Sequence, residues 1–150
     1  YKKLQHLFDL MLWLSIGIAL PMTFLSESVI KILFGETYLD ASSILSIHIW
    51  ASVFVFLGVA SSKWFIAENR QILSFQRTTI GALANVILNF LFIPQFQAVG
   101  AATATIISYA IATIISDLFQ AETRFIFFMK IESFNLLKVI YRIRILKNSL

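Results

Sequence analysis

Cysteine is absent from the 150 residues, and histidine occurs twice, as His6 and His48. No disulfide, thiol nucleophile or cysteine-based metal site is available, and the two histidines stand too far apart to suggest a zinc pair. Charge is scarce as well. Asp, Glu, Lys and Arg make up 13% of the chain, against about a quarter in a typical soluble domain. No nucleophile–base pair, phosphate-binding loop or metal cluster is evident, and no paired carboxylates stand inside an apolar run. A catalytic role is not expected, and neither is a cofactor or a metal.

Apolar side chains fill the space that charge leaves. They form 59% of the chain, 15% of it aromatic, and mean hydropathy is +0.83. A soluble domain of this size has too little interior to hide them, and a disordered chain would be polar and poor in aromatics. The solvent for most of this chain is lipid. The net charge of +4 then reads as basic flanks of membrane spans, and no nucleic-acid partner is expected.

The charge-free intervals give the organisation. Leu10–Ser26 has 17 uncharged residues, Ala41–Ser62 has 22 and Thr78–Ser116 has 39. One crossing takes about 20 residues, so the first two intervals hold one span each and the third holds two. Its break falls in the stretch from Ile93-Pro94-Gln95 to Gly100, where proline removes a backbone donor and glycine permits a turn. The expected helices are 7–25, 41–62, 76–94 and 99–118. They are too long for membrane strands and show no alternation. The predicted fold is all-α: a polytopic helix bundle of about four transmembrane helices over 1–120, with a basic amphipathic tail at 121–150 lying on the inner leaflet.

Four spans place Lys2, Lys3, Lys63, Arg70, Arg77, Arg124, Lys130, Lys138, Arg142, Arg144 and Lys147 on one side and Lys31 on the other. This asymmetry predicts that both termini are cytoplasmic. Gly35 is a candidate C-cap of the first helix, Asp40 or Ser42 a candidate N-cap of the second, and Pro21 a kink in the first. Asp9, Lys63 and Asp117 stand at span ends, as interfacial anchors would. The chain begins at Tyr1 rather than Met, which suggests an excised part of a longer protein.

Small residues recur every four positions at Ala104, Ser108, Ala112 and Ser116, and Gly81 precedes Asn85 and Asn89 at the same spacing. Such faces let helices pack closely. Amides in hydrocarbon need partners, so Asn85 and Asn89 bond between helices or line a watery cavity. His48, inside the second span, is a further cavity-lining candidate because it titrates near neutral pH.

Leu33-Phe34-Gly35 with Tyr38, Ala41 and Ile44-Leu45 resembles a stretch of bacterial polysaccharide biosynthesis flippases. Gly81-Ala82 with Asn85 and Asn89, Ile93-Pro94, then Gly100-Ala101-Ala102 with Ala104-Thr105 and Ser108 is similar to a second signature of that family. The resemblance runs over about 33–109. It implies the later part of the second lobe of a two-lobed transporter in the superfamily that also holds multidrug and toxin extrusion proteins. It further implies alternating access that carries undecaprenyl-diphosphate-linked oligosaccharide, such as O-antigen units, across the inner membrane. Cationic residues in the cavity would hold the diphosphate, and these spans offer none at mid-depth, so either the N-terminal lobe of the same transporter, the expected partner, supplies them or the head-group contact is polar rather than ionic. The alternatives are a multidrug/cation antiporter, which a membrane-embedded acid would favour, and a structural membrane subunit.

Overall fold

The computed structural model describes residues 1–148, with side chains as far as Arg144. The side chain of Lys147 and the last two residues of the tail therefore lie outside the described residues. The chain is an all-α membrane helix bundle, and no strand occurs among the described residues.

Helix α1 runs over Lys2–Phe34, 33 residues with Pro21 inside it. At 1.5 Å per residue it is about 50 Å long, so it crosses a hydrocarbon core and projects beyond it. Val29–Phe34 completes this helix. It ends at Gly35, whose φ of 86° and ψ of 174° suit a residue without Cβ. A 3₁₀ turn at Glu36–Tyr38 leads to α2, Ala41–His48, and then α3, Ala51–Ala67. Asp40 precedes α2 without a side-chain cap, and Ser42 lies inside the helix. A turn at Ile49–Trp50 interrupts the regular hydrogen bonding, but both residues keep right-handed helical dihedrals, so Ala41–Ala67 runs through as one apolar helix, as expected for the second span.

Helix α4, Gln71–Ala110, is the third long apolar stretch, and it is not one rod. Gln97 has φ 52° and ψ −129°. A Cβ built on Gly81 would lie 2.6 Å from the Cβ of Ala112, and one on Gly100 would lie 2.5 Å from the Phe92 carbonyl oxygen. Positions symmetric about Gln97 are thus in contact, and α4 folds back as a helical hairpin with arms 71–96 and 98–110. The chain reverses within the expected break, but at Gln97. Pro94 stays helical, because its ring forfeits one intrahelical bond without forcing a reversal. A π-helical stretch, Ile111–Ile115, continues the second arm into α5, Ser116–Phe119.

Phe8, Leu12, Val53, Leu57, Ala60 and Ile126 form the core. Many large apolar side chains point outward instead, among them Phe24, Ile32, Val86 and Phe90. In water that surface would aggregate; in a bilayer it is the lipid face.

After α5 come α6, Arg124–Ser133, and α7, Leu136–Asn148. Packing does not stop at residue 120. Ile126 is fully buried between α1 and α3, with Phe125 and Met129 packed against the same cluster. Helix α7 buries Val139 but exposes Leu137, Ile140 and Tyr141.

Candidate functional site

A cavity of about 440 Å³ opens between α3 and the two arms of α4. Val55, Gly58, Val59 and Ser62 line one wall. Arg77, Thr78, Gly81, Ala82 and Asn85 line the second, and Ser108, Tyr109, Ala112 and Thr113 the third. The close approach of Gly81 to Ala112 draws the arms together at this level. That is why the face that carries Arg77 and Asn85, four residues to either side of Gly81, meets a neighbour rather than lipid.

Arg77 lies six residues past the start of α4, yet it is 5% exposed. Its Nη2 donates to the Gly58 carbonyl at 2.9 Å and to Ser62 Oγ at 3.3 Å. Its guanidinium lies 4.7 Å from the centre of the Phe65 ring, a cation–π distance. Gly58 makes room for Thr113 beside it: a Cβ there would press on Thr113 Cγ2 at 3.1 Å. The second terminal nitrogen, Nη1, is buried and has no hydrogen-bond partner.

Asn89 Nδ2 donates to Asn85 Oδ1 at 2.8 Å. This satisfies the Asn85 oxygen and leaves its own N–H groups to the cavity it lines. The Asn89 oxygen is buried without a partner. Asn89 is not among the residues that line the cavity, and His48 lies apart from both amides. It is exposed at the last residue of α2 and does not line the cavity. Ala104, Ser108, Ala112 and Ser116 are all buried, with Ser108 and Ala112 in the cavity wall.

Behind Thr113 lies a second group of charges. Lys130 on α6 is fully buried, donates to Asp117 Oδ2 at 2.6 Å and also bonds the Thr113 carbonyl. The π-helical stretch spaces its hydrogen bonds differently from an α-helix, and Thr113, within it, takes Lys130 on its carbonyl. Burial pushes the Lys130 ammonium down to about 8, with the neighbouring Asp117 carboxylate opposing the shift. Arg77 is within electrostatic reach of the same carboxylate.

A third group ties the tail to α1. Arg142 clasps Asp9 with two hydrogen bonds of 2.8 Å, from Nε to Oδ2 and from Nη2 to Oδ1. Gln5 Nε2 donates to Asp9 Oδ1 and to the Met129 carbonyl. Asp9 and Asp117 are therefore buried partners of tail cations rather than interfacial anchors, because α6 and α7 bring a base to each. Lys63 is exposed.

Sequence reasoning took Arg77 for a flanking charge and missed its place in the cavity. The signal was its position: Asn69 and Arg70 close the preceding turn, so a helix starting at Gln71 carries Arg77 almost two turns inward.

Three proteins share similarity with part of the chain. A probable low-salt glycan biosynthesis flippase of Haloferax volcanii is 32% identical over 90 residues, 60% of this chain and 19% of the relative. An uncharacterized membrane protein of Methanocaldococcus jannaschii is 31% identical over 63% of this chain and 18% of its own length. A capsular polysaccharide biosynthesis protein of Staphylococcus aureus is 30% identical over 61% of this chain and 23% of its own. The chain thus spans about a fifth of the length of these curated relatives. No protein-family model matches it. No solved structure matches it either. The chain is a multi-pass membrane protein similar to membrane proteins of glycan and polysaccharide biosynthesis.

Proposed function

We infer that the chain forms part of a flippase that carries a lipid-linked oligosaccharide across the cytoplasmic membrane for surface polysaccharide assembly. The observation that carries this reading is the similarity to the Haloferax flippase and the Staphylococcus capsule protein. The cavity between α3 and the arms of α4 supports it, since its lining includes a cation, Arg77, and an amide, Asn85, inside an otherwise apolar bundle. The remaining helices of the transporter supply the opposing wall, and the bundle moves as one packed lobe in alternating access. Both termini and the cationic ends of the helices face the cytoplasm, with Lys31 opposite.

Depleting the full-length protein tests this. Lipid-linked oligosaccharide then accumulates on the inner leaflet while surface polysaccharide falls. Normal display after complete depletion refutes the reading. Replacing Asn85 and Asn89 together with Leu lowers display at unchanged protein level if the amides serve the cargo, and leaves it unchanged if they serve packing. Because cysteine is absent, single cysteines at Glu36 and Arg124 report orientation by impermeant labelling: position 36 reacts in intact cells and position 124 does not.

The cation-antiporter alternative needs a membrane-embedded acid free to exchange its ion. Asp117 is a buried acid, but Lys130 already holds it at 2.6 Å.

A further inference from the structure

We propose that the π-helical stretch Ile111–Ile115 is a register switch in the cavity wall and that Lys130 latches it from outside the cavity. Its other setting is a continuous α-helix, in which the wall turns and no longer faces Gly81. The device goes beyond the flippase reading and needs none of it.

The hydrogen bonds show where the register slips. Ser116 N–H bonds the Ile111 carbonyl, five residues back. In an α-helix it would bond Ala112, four back. The Ala112 carbonyl accepts from the Ser116 hydroxyl instead, and the Thr113 carbonyl accepts from Lys130 Nζ. Single π turns are rare interruptions of α-helices. Here two side-chain donors stand at the slip, and one of them comes from another helix.

Phase explains what the slip achieves. Ala112 faces the first arm of α4, since a Cβ on Gly81 would lie 2.6 Å from its own. Asp117 faces α6, where Lys130 holds it at 2.6 Å. The slip puts one extra residue into the turn between them. A continuous α-helix of the same sequence rotates one contact against the other by about 100°, so one of them has to yield. Breaking a buried ion pair costs more than turning a methyl group away from a glycine. The wall is therefore the part that turns while Lys130 and Asp117 stay joined.

Thr113 connects the two sides. Its side chain lines the cavity and stands against Gly58, while its carbonyl holds Lys130. Lys130 comes from a fixed element: Gln5 on α1 donates to the Met129 carbonyl and to Ser133 Oγ, both at 2.9 Å, and Ile126 is fully buried. With α6 fixed, the second arm is the element with two discrete arrangements. Whatever presses on Thr113 from the cavity bears on the latch.

The test uses the full-length protein in nanodiscs, with Phe75→Cys and Leu118→Cys as its only cysteines and a spin label on each. Both positions are exposed, one on the first arm and one after the slip. A turn of about 100° carries a side-chain tip about 8 Å around the helix, so the separation of the labels reports the register. With Lys130 in place one distance is expected. Lys130→Met adds a second distance that differs by several ångström. If that variant does not fold, Lys130→Met with Asp117→Leu, which strands no charge, is measured in its place. Deleting Ile115 removes the extra residue and leaves an α-helix with both contacts in phase. The original distance is then kept, also when Lys130→Met is added. An unchanged distance in the Lys130 variants that retain Ile115 overturns the proposal, because Lys130 then only stabilises. So does a shift that persists after the deletion, because the movement is then not one of register. Neither result bears on whether the parent moves glycans.

Discussion

The two ends of α1 hold their charges differently. Near its start, Asp117 and Lys130 meet at 2.6 Å with side chains 2% and 0% exposed, and the ammonium lies 5.6 Å from the centre of the Phe8 ring. At its end, Lys31 in the last turn and Glu36 just beyond it meet at 2.7 Å with side chains 57% and 73% exposed. The distances are nearly the same and the consequences are not. A solvated pair gains little, because water screens it and two long side chains lose freedom. A buried pair has already forfeited its hydration, so neither member can be removed alone. The end with the cavity is held together by charges that cannot leave; the far end is closed by a turn.

Breaking the buried pair is the largest expected effect. Lys130→Ala strands Asp117 and lowers stability by about 3–5 kcal/mol, read as a fall in the detergent melting temperature. The double substitution Lys130→Met with Asp117→Leu recovers most of the loss, since a packed apolar pair carries no desolvation cost. If the double variant melts no higher than the single one, the pair is not what binds α6 to the bundle.

Next is the Asp9–Arg142 clasp, which is intermediate in burial. Asp9→Asn removes the charge but keeps an acceptor, and costs about 1.5–3 kcal/mol. Faster proteolysis of α7 at unchanged α6 protection is the expected signature.

Acid–base behaviour sharpens the same contrast. Lys130 is held at about 8 against an ordinary 10.5. Between these values the unfolded chain binds more protons, so the contribution of this group to stability rises with pH across that window. Melting temperatures of wild type minus Lys130→Met, followed from pH 7 to 10, show that upward slope; a flat or falling difference contradicts the burial of a titrating ammonium. Lys31→Ala is the smallest effect, below about 1 kcal/mol.

Much of the bundle was legible in the sequence, for a reason visible in particular residues. A charge inside hydrocarbon is expensive, so the intervals Leu10–Ser26 and Ala41–Ser62 marked crossings within α1 and α2–α3. The 39-residue interval had to fold once, and Gly100 lies where a Cβ would strike the Phe92 carbonyl. The position of the reversal was less legible. Gln97 adopts a positive φ without any residue preference that announces it.

The site was legible in part. Gly81 was singled out for close packing and Asn85 and Asn89 as amides for a cavity; Gly81 and Asn85 line the cavity and Asn89 does not. His48 was singled out for its chemistry, but α2 ends there and turns it outward. Arg77, Asp117 and Lys130 were read as flanking charges, because a span end looks the same in sequence whether its charge faces water or a neighbouring helix.

By itself the sequence determined the solvent, the long apolar helices and the small-residue faces, since each follows from local composition and from the cost of exposing polar backbone to lipid. The tertiary structure alone decided which charges are buried and what each one meets. Asp117 and Lys130 are thirteen residues apart and Asp9 and Arg142 are 133 apart. No local rule brings such partners together; the folding back of α6 and α7 onto α1 does.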